Sequence, residues 1–276
     1  MMKIIGVDIG GTNIDVVFFS DGKYRHIMTL HTENIDNICE KIQETVSIMD
    51  VDAVGIGVAA WLKSGNIIHA PNLPSPEAPL NLRDALDVPV FLDNDANCFA
   101  MFAHEILGHA SLLAVTVGTG IGSGIIVNGE IYRGGGIAGE IGHWTTGRSS
   151  RSDTGKQENL RCRCGGKDHL ECYFSGWALE QKYGKSVKDL MAENRNFIYE
   201  TEGFDDFCRA IANAVMLLDP SAVVFGGRIG MQFDAKILEN RIYCYLMRGF
   251  LPRIEILKDE IAVAKGACIL AASSML

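Results

Sequence analysis

Acidic, imidazole and thiol side chains stand in this chain at spacings that can do chemistry. Glu140 and His143 are three residues apart near the end of a glycine-rich run, residues 118–144, GTGIGSGIIVNGEIYRGGGIAGEIGHW. On a helical turn both side chains share one face, where one accepts and the other donates a hydrogen bond to a polyol; a solvent-exposed surface pair has the same spacing. Asp93-Asn94-Asp95 follows the apolar run 88–92 and precedes a helical stripe of Phe99, Ala103, Ile106 and Leu107. The carboxylates therefore sit where a strand hands over to a helix. There the positive end of the helix keeps an acid ionised and able to take a proton from an alcohol, and capping of the helix by Asp93 or Asp95 is the other use of the position. Cys162-Arg163-Cys164 before Gly165-Gly166 is a thiolate pair suited to tetrahedral Zn²⁺ with two further ligands.

These groups need elements to hold them. Residues 115–117 are β-formers. The glycines after them, Gly118, Gly120, Gly122 and Gly124, are expected to take positive φ and expose backbone N–H groups, as an anion-binding turn requires. A polyphosphate is the natural ligand, with plain tight turns in a β-meander as the alternative. Asn128-Gly129 predicts a type I′ hairpin, so the turn lies between antiparallel strands, unlike the loops that open a helix. The same order of strand, turn and strand occurs at the N-terminus: residues 4–7, then Asp8-Ile9-Gly10-Gly11-Thr12, then residues 14–19. Such a repeat predicts two hairpins facing each other across a cleft and clamping one nucleoside triphosphate. Asp8 would supply a carboxylate for hydrated Mg²⁺, and Thr12 and Thr119 hydroxyls for phosphate oxygens. Residues 222–225 read as a buried strand ending in Gly226-Gly227, where a backbone without side chains can approach a base or ribose; an ordinary strand-to-helix turn reads the same way.

With 276 residues, 47% hydrophobic and 21% charged, the chain can bury a substantial core, and the repeat favours two domains. We place them at 1–109 and 110–263, with a terminal helix over 264–276 packing back onto the first. Ile35, Ile38, Ile42, Val46 and Met49 predict an amphipathic helix, residues 54–60 a buried strand, and residues 81–86 a short helix. Residues 145–161 are polar and read as a solvated loop, with a substrate lid or a subunit contact as the alternatives, and Trp61, Trp144 and Trp177 read as packing residues. A net charge of −9 without a long basic run excludes a broad nucleic-acid or anionic-membrane surface. The chain enters a strand directly, with no signal-type segment and no apolar run of transmembrane length, so a cytoplasmic location is expected. The eight cysteines are scattered and read as thiols or metal ligands, not as a disulfide framework.

Taken together, VDIGGT, APNLP, LDNDAN, GTGIGSG, GGGIAGEIGH, CRCGG with LECYFSG, and FGG cover most of the chain. The set resembles the ROK family of sugar kinases and sugar-responsive repressors, within the two-domain α/β actin-like ATPase (ribonuclease H-like) fold. The resemblance implies ATP- and Mg²⁺-dependent phosphorylation of a hexose or N-acetylhexosamine, at the 6-hydroxyl, with Asp95 as the base, which leaves Asp93 as structural. It implies Asn72, Asn94, Glu140, His143 and Glu171 as sugar contacts and Gly226-Gly227 against the adenosine. It also implies a zinc site built from His143, Cys162, Cys164 and His169, the last standing where the family has a third cysteine, with Cys172 as the substitute. Two departures bear on specificity: Ala59-Ala60 replaces a frequent Pro-Gly, and the loop 145–161 is longer than usual. The family's repressors carry a DNA-binding domain before the first strand; here that strand starts at the first residues, which favours a kinase. A homo-oligomer, dimer or tetramer, is the expected assembly.

Overall fold

Branched apolar residues fill β1 (Ile4–Ile9), where Ile4, Ile5, Val7 and Ile9 are all buried, as in a strand covered on both faces. The computed structural model describes residues 2–33, 38–63, 65–71, 73–74, 78–147 and 160–276. β1 turns back antiparallel into β2 (Asn13–Ser20), which pairs with β3 (Lys23–His31). Helix α1 (Ile38–Met49) crosses to β4 (Ala53–Val58), parallel to β1. A short hairpin, β5 (Trp61–Lys63) and β6 (Asn66–His69), and α2 (Ala78–Ala85) precede β7 (Val90–Asn94), which lies parallel to β4 and runs directly into α3 (Asp95–Leu107).

The second half repeats this plan. β8 (Leu112–Val117) leads through the glycine turn into β9 (Ile121–Val127) and β10 (Glu130–Ile131). Asn128 (φ 55°) and Gly129 (φ 82°) form the tip of the β9–β10 hairpin, the pair of left-handed residues that a type I′ turn requires. A 3₁₀ turn at Ile141–His143 follows. Then come α4 (Glu171–Phe174), α5 (Gly176–Tyr183), α6 (Val187–Glu193), α7 (Phe197–Glu200) and α8 (Glu202–Leu218). β11 (Ala222–Gly226), α9 (Gly227–Gly230), α10 (Ala235–Tyr243), β12 (Arg253–Ile256) and α11 (Ala262–Met275) complete the chain. The two large sheets have orders β3-β2-β1-β4-β7 and β10-β9-β8-β11-β12. Each has its first strand in the middle, the next two on one side and the last two on the other, so the repeat seen in the sequence is a repeat of topology.

The chain forms two units. The first comprises Met1–Ala110, Gly124–Ala138 and Asp259–Leu276, and the second Ser111–Ser123 and Gly139–Lys258. Residues 124–138 count with the first unit, where a single cut after residue 109 does not put them. The cause is local: a side chain on Gly124 would meet Ala96 O at 2.5 Å and Ala100 Cβ at 2.7 Å, so this part of β9 lies against α3.

In the first unit β4, AVGIGV, shows how the sheet is sandwiched. Val54, Ile56 and Val58 face the cluster that contains Ile5, Val7, Ile42 of α1 and Leu82 of α2. Ala53, Gly55 and Gly57 alternate with them onto the other face, where α11 lies so close that a Cβ on Gly55 would overlap the carbonyl oxygen of Ala267. Branched side chains on one face and bare backbone on the other follow from the strand's period of two. The second unit is centred on Phe174, Phe204, Phe207, Phe225 and Phe233, whose rings pack with centroids 4.8 to 6.3 Å apart. Among the described residues no helix is long and apolar enough to cross a membrane.

Candidate functional site

In the first unit, parallel pairing puts two acids at one end of one sheet, with Asp95 just after the second at the start of α3. Asp8, Gly57 and Asp93 lie in one row across β1, β4 and β7, and Ile9, Val58 and Asn94 in the next. Strand spacing sets the β1 and β7 backbones roughly 10 Å apart. Cys98, buried beneath, registers the gathering: burial pushes its thiol well up, and the charges of Asp93, Asp95 and Asp8 push it further. Just beyond Asp8, the turn of Gly10, Gly11 and Thr12 is closed by Gly10 N–H on Asn13 O at 3.0 Å and tied down by Thr32, whose hydroxyl donates to Gly10 O at 2.7 Å. The Thr12 side chain is exposed.

The three residues at the end of β7 have separate tasks. Asp93 is only 4% exposed; it accepts Asn97 Nδ2 and its neighbour's amide at 2.8 Å, and Arg133 Nε at 2.7 Å and Nη2 at 2.6 Å. Asn94 caps α3, accepting Ala96 N at 2.9 Å and Asn97 N at 3.2 Å and donating to Ala60 O at 3.1 Å. Asp95, partly exposed, opens the helix with its Oδ1 on its neighbour Ala96 N at 2.9 Å. Capping therefore belongs to Asn94, and the carboxylate that reaches solvent at the helix's positive end is Asp95. Replacing Asn94 by Ala is expected to cost about 1 kcal/mol of stability in chemical denaturation without ligand.

In the second unit β8 and β11 are parallel neighbours that end in adjacent glycine turns, 118–120 and 226–227. None of Gly118, Gly120, Gly122 or Gly124 takes positive φ, contrary to the sequence expectation. What the turn needs is the missing Cβ: one on Gly120 would sit 2.6 Å from Glu171 Oε2, and Gly176 leaves room for Gly118 O. Left-handed backbone does occur at Gly227 (φ 77°), where a side chain would also press on Val117 O. Glu171 is 4% exposed and holds the glycine turn, with Oε2 accepting Ile121 N and Oε1 accepting Trp177 Nε1, both at 3.1 Å.

Glu140 precedes the 3₁₀ turn and His143 ends it, with His143 Nε2 3.7 Å from Glu140 Oε2. The other nitrogen of His143 faces a cluster of four donors, His143, Cys162, Cys164 and His169, all within 4.8 Å of one another. His143 Nδ1 is 3.2 Å from His169 Nδ1 and 3.7 Å from Cys162 Sγ, and Cys164 Sγ is 3.2 Å from His169 Nδ1. A tetrahedron with bonds of about 2.0–2.3 Å has edges of roughly 3.3–3.8 Å, so the donors fit an ion of that size. Burial and the neighbouring His143 lower the His169 pKa, which keeps its lone pair free, and Gly166 N–H points at Cys164 Sγ at 3.4 Å, as it would toward a thiolate. Cys172 hydrogen-bonds Cys162 and stands outside the cluster of four.

Asn72 and residues 148–159 of the polar loop lie outside the described residues. Two residues that the sequence does not single out as site residues take part in the site. Arg133 reaches Asp93 from 40 positions away, and no local pattern marks it. Trp177 reads in the sequence as packing, yet its indole N–H has a partner, as buried indoles usually do, and that is the available signal.

Comparison with known proteins places this arrangement. The Thermotoga maritima glucokinase is 28% identical, over 100% of this chain and 97% of its own. The N-acetyl-D-glucosamine kinase of Salmonella newport is 29% identical, over 80% of this chain and 82% of its own. A ROK family glucokinase from Streptomyces griseus, solved in complex with glucose and AMPPNP, superposes with a TM-score of 0.74 at 25% identity, covering 98% of this chain and 99% of its own. The fold is the α/β actin-like ATPase fold of those kinases. With the family model matching residues 4–272, the chain belongs to the ROK family.

Proposed function

We propose that this ROK-family sugar kinase transfers the γ-phosphoryl group of ATP to a hydroxyl, the exocyclic 6-hydroxyl, of a hexose or N-acetylhexosamine, with Asp95 as general base. One observation carries the assignment: of the three polar residues at the end of β7, Asp93 is buried in an ion pair and Asn94 caps α3, which leaves the Asp95 carboxylate at the helix's positive end. Asp95 takes the hydroxyl proton as the sugar oxygen forms its bond to the γ-phosphorus and the bond to the ADP oxygen breaks. The turns at Gly10-Gly11-Thr12 and Gly118-Thr119-Gly120 receive the phosphates, and Gly226-Gly227 the adenosine. Asp8 would hold Mg²⁺, which when bound offsets phosphate charge. The sugar is held by Asn72, by Asn94, by Glu140 and His143, and by the lone pairs of Glu171 that Ile121 and Trp177 leave unused.

His143, Cys162, Cys164 and His169 would hold Zn²⁺, which takes no part in the phosphoryl step and supplies a fixed tautomer. With Nδ1 on the metal, His143 carries its proton on Nε2, beside Glu140. Elemental analysis of the purified protein is expected to find about one zinc per chain, and His169→Ala to lose it with a fall in metal affinity of at least about tenfold. Unchanged zinc in that variant rejects the ligand set, and retention dependent on Cys172 would move the fourth ligand there.

ADP release measured with ATP against a panel of glucose, N-acetylglucosamine, N-acetylmannosamine, fructose and allose tests the reaction. Turnover is expected to require one of these sugars. ATP hydrolysis at the same rate with and without every sugar defeats the reading.

A further inference from the structure

A glycine-rich turn has almost no side chains of its own to hold it, so the directions of its N–H groups are set by what it is bonded to. Here the partner is the start of α5. Gly176 N–H donates to Gly118 O at 2.9 Å, and Trp177 N–H to Thr119 O at 3.1 Å. The Trp177 indole adds a second link through Glu171, whose two oxygens take its N–H and the amide of Ile121. On the face of that indole lies the guanidinium of Arg163, 4.9 Å from the ring centroid. Arg163 is the residue between Cys162 and Cys164, two of the four donors, in a loop closed by Cys162 N–H on Gly166 O and Gly165 N–H on Cys162 O, both at 2.9 Å. A chain of contacts thus runs from the Cys/His loop to the glycine turn without passing through His143.

We propose that Arg163 and Trp177 are positioning residues that carry the geometry of the Cys/His loop to the glycine turn and thereby set nucleotide affinity. The proposal rests on the reading of that turn as a triphosphate cradle. A cation centred over an indole restrains the ring, and the ring's N–H holds the Glu171 carboxylate in the rotamer that reaches Ile121. Loss of either contact lets the carboxylate turn away and the Ile121 amide swing, so the turn meets a phosphate at a cost in order.

The test is binding of AMPPNP with Mg²⁺ by calorimetry to the full chain. Trp177→Phe keeps an aromatic ring, smaller than the indole, and removes the N–H; Arg163→Ala removes the cation and leaves all four donors. We expect Kd to rise about tenfold in the first and about fivefold in the second, with Arg163→Lys returning to within about twofold of the parent. Zinc content is expected to stay at the parental value, and hydrogen exchange at the Ile121 amide to accelerate. Side chains that merely pack would lower Tm and leave Kd alone. AMPPNP affinity within about twofold of the parent in both Trp177→Phe and Arg163→Ala overturns the proposal, and so does loss of zinc from Arg163→Ala with affinity intact. Thr119→Val separates the two readings: if it weakens AMPPNP while the other variants do not, the Arg163–Trp177 link alone is wrong. If Thr119→Val also leaves binding unchanged, the turn is not a nucleotide cradle and both readings fall.

Discussion

Asp95→Asn is expected to lower kcat for sugar-dependent ADP release by about 10³-fold, within the range for loss of a positioned general base. The substitution is isosteric, and its amide oxygen can still accept Ala96 N–H as Oδ1 does at 2.9 Å. Asn94, which accepts two amides of the first turn, continues to cap α3. Stability should therefore change by less than about 0.5 kcal/mol, as for a surface site whose hydrogen bond survives. AMPPNP affinity should be unaffected, because the variant removes proton acceptance and not phosphate binding. The discriminating pair is kcat against Tm. Parental kcat in a folded variant rejects Asp95 as the base, whereas a fall in kcat matched by a collapse in Tm would point to a role in the fold.

Gly55→Val is expected to be among the most damaging single changes in the first unit. By strand propensity alone it would be favourable, since Val suits a central strand and Gly does not. Packing decides otherwise. A Cβ on Gly55 would overlap the Ala267 carbonyl oxygen and approach Ala267 C at 2.6 Å and Ala271 Cβ at 3.3 Å. Most of what it meets is α11 backbone, which cannot swing aside as a flexible side chain does, so the helix must lift off β4 and open contacts along its length. We expect a loss of at least about 3 kcal/mol and a fall in Tm of roughly 6–12 °C. Gly135→Ala is the control: a Cβ at that position would have nothing within 4 Å, and the backbone there is not left-handed. It should shift stability by less than about 0.5 kcal/mol. A Gly55→Val variant as stable as this control would mean that α11 does not close on β4 at this position.

Much of this protein is set by the order of residues alone, because local conformation and periodicity are short-range. The alternation of AVGIGV already separates a branched face from a bare one, and Asn128-Gly129 already makes a type I′ turn. The two strand-turn-strand passages become two sheets of the same topology. The C-x-C pair and the Glu140–His143 spacing are equally legible, since such groups are recognised by type and short separation, whereas His169 enters only through the family resemblance. Tertiary structure decided which acid is internal. Asp93, Asn94 and Asp95 look alike as polar residues before a helix, and only the arrival of Arg133 from 40 positions away makes Asp93 an internal ion pair. It likewise decided why residue 120 is glycine: Glu171, 50 positions from Ile121, occupies the space a side chain there would fill. Such contacts depend on where distant segments cross, and crossing is governed by burial of surface over the whole unit, which no window of sequence contains.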